Sequence, residues 1–138
     1  MPKPQRKVSH FRRIIETKSV SLNGVNPKNL ITFVYNNTDS FDRTPMVFVT
    51  AKVRGKYIEG FNINYLKEYF VQRLLLEKNL RNLKYYDNYK HSFRRYKINM
   101  MNKTESVDYE TDKMRQERRE ENIRKKAEDK KREEDKKE

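Results

Sequence analysis

A small α+β domain, built on a compact antiparallel SH3-like or barrel-like sheet with covering helices and a long charged C-terminal helix, is the fold class this sequence predicts. Three observations predict it. β-Branched and aromatic residues are dense between Leu30 and Leu66, as strands require. Within that stretch Arg54-Gly55-Lys56 separates two strand-like runs, which is the signature of a tight hairpin. From Asp112 onward the chain changes abruptly to Glu, Lys, Arg and Asp, with Met114, Ile123 and Ala127 nearly its only apolar side chains.

The chain has 138 residues, room for one domain. Its apolar fraction is 34% and its charged fraction 38%, against about 45–50% and about 25% in ordinary globular domains, so only part of it can fold around its own core. We divide it into a basic N-terminal arm over 1–29, an α+β domain over 30–110 and a mixed-charge helical tail over 111–138. Cysteine is absent, which excludes disulfides and thiolate metal sites. His10 and His91 read as polar surface histidines. The net charge is +13. Residues 112–138 hold 12 Lys/Arg against 10 Asp/Glu, leaving 21 against 10 in the first 111 residues, so the basic excess belongs to the folded part. Such a surface suits a polyanion or an acidic protein, although an AT-rich coding sequence also enriches Lys, Asn, Ile and Tyr. No apolar run reaches the length of a membrane span. No apolar region follows the basic start, so no secretory leader is predicted.

Taken in order, Pro2, Pro4 and scattered charge make the start an arm and not a packed element. Arg6, Lys7, Arg12 and Arg13 are its candidate phosphate contacts. A short strand or helix, pinned by Phe11, Ile14 and Ile15, is the alternative for 8–15. Asn23-Gly24 and Asn26-Pro27 are turn signals. Leu30–Tyr35 reads as a short strand buried on both faces. After a polar loop, Pro45 opens a second strand in which Val47, Val49, Ala51 and Val53 share one face and should be core. Beyond the turn, Tyr57, Phe61 and Ile63 continue a third strand, interrupted by Gly60, which marks a bulge or a close backbone approach. Asn64 then caps a predicted helix over 65–80, with Leu66, Phe70 and Leu74 at helical spacing.

Residues 82–99 interleave aromatic and basic side chains. Tyr89, Phe93 and Tyr96 stand at helical spacing and predict a second packing helix. The same stretch suits base stacking and phosphate pairing, or a docking surface. In the tail, Glu120–Arg124, Glu121–Lys125, Glu128–Arg132 and Glu133–Lys137 are spaced i,i+4, each pair worth about 0.2–0.5 kcal/mol to a helix. No heptad seam runs through them. A solvated helix, or a tail that becomes helical on a partner, is expected.

Three glycines at 24, 55 and 60 cannot build a phosphate loop. None of Asp39, Asp42, Glu59, Glu68 and Glu77 forms a recognisable acid/base or metal cluster. Asp39 and Asp42 read as turn residues and not as cation ligands. No catalytic residue, metal or cofactor is therefore expected. The candidate contacts on the folded part are Lys52, Arg54 and Lys56 of the hairpin and Arg94, Arg95 and Lys97 of the aromatic-basic segment.

Asp42-Arg43-Thr44-Pro45-Met46-Val47-Phe48-Val49, then Gly60-Phe61-Asn62-Ile63-Asn64-Tyr65-Leu66, and later Tyr89-Lys90-His91-Ser92-Phe93-Arg94-Arg95-Tyr96 resemble small proteins of tailed bacteriophages. The resemblance covers roughly 30–97. It implies a virion or DNA-end-associated factor, made in the host cytoplasm and held in a symmetric assembly with other virion proteins and phage DNA. Its motifs are structural, so no functional residue carries over, and the charged tail lies outside it. A free nucleic-acid-binding module is the second expectation.

Overall fold

In a computed structural model, which describes residues 7–36 and 42–136, six strands form one antiparallel sheet. They are β1 (Ile14–Ser19), β2 (Leu30–Tyr35), β3 (Met46–Val53), β4 (Tyr57–Asn62), β5 (Phe93–Lys97) and β6 (Met101–Tyr109), with helices α1 (Glu68–Leu76) and α2 (Asp112–Lys136). The spatial order is β1-β6-β2-β3-β4-β5. A one-turn 3-10 helix, Ile98–Met100, carries β5 into β6, which returns to the far side of β2. The result is the small antiparallel sheet of an α+β domain that the sequence predicts, open, with β1 and β5 at its edges.

The sheet curls strongly. Phe33 and Tyr35 of β2 meet Tyr96 of β5 with ring centroids 5.2 and 5.1 Å apart, although β3 and β4 lie between those strands. Val25, Ile31, Val47, Val49 and Ile58 fill the inside of the curl with them. A second core packs against the outer face: Leu30, Phe48, Phe61 and Val107 from the sheet meet Leu66, Val71, Leu74 and Tyr89. Both faces of β2 and of the start of β3 are thus buried, as a continuous apolar run requires.

The hairpin forms where the sequence places it. Arg54 and Gly55 take φ of 55° and 66°, and the Lys56 N–H donates to the Val53 carbonyl at 3.0 Å. Positive φ at both central residues matches the right-handed twist of the strands. At Gly60 the backbones approach so closely that a Cβ would collide with Val47 Cγ1 at 2.7 Å and with the Phe48 carbonyl. Opposite it the β3–β4 register shifts between Val49 and Ala51. That bulge corrects the expected Val face: Ala51 and Val53 align with Glu59 and Tyr57, on the face opposite to Val47 and Val49.

Three further expectations are corrected. The chain from Lys7 to 29 is integrated with the domain and not a free arm, since β1 pairs with β6 and Val25 is fully buried. Its anchors are His10 and Arg13, while Phe11 and Ile15 are 81% and 52% exposed. The helix expected from Asn64 begins only at Glu68. Ile63–Tyr65 is a 3-10 turn, because the Asn64 side chain is held by Asp42 and the Thr44 carbonyl. α1 ends at Leu76, where the Glu77 and Asn79 side chains accept from the N–H groups of Asn79 and Arg81 and so compete with helical bonding. The second packing helix does not exist: 93–97 is the edge strand β5. Phe93 aligns with Phe61 while Tyr96 enters the other core, and the open edge of β4 offers a hydrogen-bond ladder that a helix would leave unused.

Candidate polyanion and partner interface

Cross-strand partners share a face, so the ladders place the basic side chains. Arg95 lies in the row of Ala51 and Glu59, and Lys97 in the row of Val53 and Tyr57. Lys52 aligns with Ile58 and Tyr96, and Arg94 with Val49 and Gly60, on the opposite face. Arg54 and Lys56 stand in the exposed turn between the two sets. The Lys56 carbonyl accepts from the Ile98 N–H at 3.0 Å, which fixes the hairpin tip beside the end of β5. Read as a helix, Arg94, Arg95 and Lys97 form one cluster. As a strand they alternate, and one flat polyanion can meet Arg95, Lys97, Arg54 and Lys56 together but not Arg94 and Lys52 with them.

Partial neutralisation shapes this surface. Arg95 pairs with Glu59 at 3.0 Å and lies over the Tyr57 ring at 5.1 Å. Lys52 donates to the Leu22 carbonyl at 2.7 Å, and Arg94 to the carbonyls of His91 and Phe93 at 2.6 and 2.9 Å. Sequence reasoning missed Lys84, whose ammonium lies over the Phe93 and Tyr85 rings at 5.5 and 5.3 Å. Its position depends on how 82–92 folds back onto the sheet, and nothing local in the sequence announces it.

Among the arm residues, Arg6 lies outside the described residues. Lys7 is half-exposed and pairs with Asp42 at 3.4 Å, and Arg12 is exposed. Arg13 is no phosphate contact. It is buried, binds Asp112 at 2.7 Å and Glu68 at 3.3 Å, and so ties the turn before β1 to both helices. Burial alone would lower the Arg13 pKa, but the bonds and charges of Asp112 and Glu68 outweigh it and hold the guanidinium in its charged form. The Asp112 carboxyl is held below its ordinary range by the bonds from Arg13 and Gln72. Nearby, buried Glu110 binds Arg115 at 2.6 Å and Arg118 at 3.0 Å, Asp112 N–H donates to Gln72 Oε1 at 2.8 Å, and Arg115 Nη2 donates to the Arg12 carbonyl at 3.1 Å. The root of α2 is therefore clamped from the turn before β1, from α1 and from the residue that follows β6. From Gln116 to Glu134 every side chain of the helix is exposed.

Asp42 organises the other buried polar cluster. Its carboxylate accepts from Asn64 Nδ2 at 2.8 Å, Asn62 Nδ2 at 3.1 Å and the Thr44 N–H at 3.1 Å. Burial pushes this carboxyl up, but those bonds and the Lys7 charge overcome it, and its pKa falls below the usual range. The bond to Thr44 N–H, two residues on, is a turn stabilised by the aspartate side chain; Asp39 lies outside the described residues. His10 is corrected from surface to core: Nε2–H faces the carbonyls of Ile63 and Leu66 at 2.8 and 3.0 Å, leaving Nδ1 to accept from the Tyr109 hydroxyl at 3.3 Å. Burial pushes that hydroxyl's pKa up to about 12. His91 is partly buried, with Nε2 3.1 Å from the Tyr65 carbonyl.

Among the described residues no cluster of three or more metal-binding side chains occurs, and no described helix is long and apolar enough to cross a membrane. No protein-family model, curated protein or solved structure matches the chain, so its function has to be read from its own residues.

Proposed function

We propose that this chain is a non-enzymatic assembly component of a tailed-bacteriophage particle, made in the host cytoplasm, which docks on larger virion proteins in a symmetric assembly. The observation that carries the reading is the root of α2. Two ion clusters, around Arg13 and around Glu110, fix the start of the helix, while every side chain from Glu120 to Glu134 is exposed. A solvated tail has no need of a fixed direction, whereas an arm that must reach a neighbour does. At 25 residues and a rise of 1.5 Å each, the arm spans about 37 Å. The test is to purify particles from infected cells and probe them for the chain by mass spectrometry. Recovery at a fixed stoichiometry supports the reading, and absence from purified particles removes it.

A second reading, a free nucleic-acid-binding module, is favoured by one observation: Arg54, Lys56, Arg95 and Lys97 stand together at the hairpin end beside the partly exposed Tyr57 ring. Gel filtration with light scattering, with duplex and with single-stranded DNA at low and moderate salt, tests it. A complex that dissociates as salt rises favours it, because phosphate contacts release counterions. A monomer indifferent to both nucleic acids removes it.

A further inference from the structure

Between the start of β1 and the first turns of α2 lies a groove of about 440 Å³, away from the hairpin surface. Arg12 lines it from the chain entering β1, and Arg115, Arg118 and Arg119 line it from α2. Glu110 holds the Arg115 and Arg118 guanidinium groups in place. Arg12 and Arg119 are exposed, and their side chains make no hydrogen bond or ion pair among the described residues. Four guanidinium groups thus face a single carboxylate, two of them preset in orientation and two free.

The opposite wall is apolar. Ile14 and Ile15 line the groove, and Phe11 beside them is 81% exposed. The β1–β6 register shifts between Ile14 and Glu16, a bulge that takes Ile15 out of the ladder. Among the described residues β1 is the last strand on this side of the sheet, so its outer backbone N–H and C=O groups have no strand partner there. Another polypeptide strand can pair that row in register. A nucleic acid could meet the arginines, but it has no complement for the strand edge.

We propose that the groove and the β1 edge together form a docking site for an extended acidic segment of a partner protein. The segment adds to the sheet as a strand beyond β1, its apolar side chains cover Phe11 and Ile15, and its carboxylates meet Arg12, Arg115, Arg118 and Arg119. Guanidinium forks match carboxylates in geometry as well as charge. This deepens the assembly reading by naming the partner's chemistry, and it rests on that reading only for the partner's place in a particle.

The test is fluorescence anisotropy with the full chain. The probe is a labelled peptide of alternating valine and glutamate, about eight residues long to match a strand, compared with its valine-lysine counterpart and with a DNA duplex as competitor. The acidic peptide is expected to bind and the basic one not. The double variant Arg12→Glu, Arg119→Glu, at exposed positions without side-chain partners among the described residues, should weaken binding by about tenfold or more. Arg54→Glu, Lys56→Glu removes the same charge at the far hairpin and should change it less than about twofold, since exposed charges beyond a Debye length are screened. Equal losses in the two variants would mean that net charge alone is read, and would overturn the proposal. So would an acidic peptide binding no better than the basic one, or a duplex that displaces it and loses affinity in the groove variant. A chain that binds the peptide yet is missing from particles removes the assembly reading and leaves this site. A chain present in particles that ignores the peptide removes this site alone.

Discussion

At Gly60 a methyl group has nowhere to go: Val47 Cγ1 would lie at 2.7 Å and the Phe48 carbonyl carbon at 2.9 Å, and the carbonyl is backbone that cannot rotate aside. Gly60→Ala should destabilise the domain by about 1–3 kcal/mol or more in urea unfolding. The same scale decides the role of Asp42. Its pKa is depressed in the folded chain, so its contribution is fully present above the unfolded value of about 3.9 and is lost as pH falls through the folded value. Asp42→Asn turns an acceptor of several bonds into a partial donor facing Asn62 and Asn64, which should cost about 1–3 kcal/mol at neutral pH. The deficit should narrow below about pH 4, where the wild type loses the same interactions. Urea unfolding of both proteins at several pH values reads this directly, and a deficit independent of pH would contradict it. The Asp42-x-x-Pro45 motif and Asn62-x-Asn64 are visible in the sequence, but their meeting is not, because 20 residues of strand and turn separate them.

At the scale of elements, α2 is set by its first turns. Arg13→Met should loosen them, seen as faster amide exchange over 112–119. The loss of stability should stay near 1–2 kcal/mol, because Asp112 and Glu68 are exposed enough to be hydrated again. Ending the chain after Arg119 should change domain stability by less than about 0.5 kcal/mol, since the removed described side chains are exposed. A larger loss would show that the outer helix packs on the domain. Among the i,i+4 pairs expected there, Glu121–Lys125 closes at 3.3 Å, and Lys137 lies outside the described residues. β5 shows why periodicity misled: Tyr89, Phe93 and Tyr96 fit a helical stripe, yet Tyr89 reaches the outer core from a turn, and Phe93 and Tyr96 alternate across a strand.

For the whole molecule, opposite ends of the sheet carry separate surfaces. The hairpin end presents Arg54, Lys56, Arg95 and Lys97, and the β1 end presents the arginine groove. If duplex DNA binds, Arg95→Ala with Lys97→Ala should weaken it several-fold at low salt and reduce the salt dependence by about one to two contacts. Arg94→Ala, on the other face, should weaken it less. Equal effects would mean that the two faces act together, against their separation by the sheet.

The sequence by itself determined the features whose causes are local: the Arg54-Gly55 turn through backbone preference, the glycine at a close crossing, the two-sided burial of β2 through its unbroken apolar run, and the charged final helix through composition. Tertiary structure decided the rest. β1, β5 and β6, which lies between β1 and β2, exist because distant edges needed backbone partners, and such pairing leaves little trace in a window of a dozen residues. It also decided which charges are free. Arg13 and Arg12 are neighbours of identical chemistry, yet one is buried between two carboxylates and the other faces an open groove, because adjacent side chains at the entry to a strand point in different directions and meet different parts of the fold.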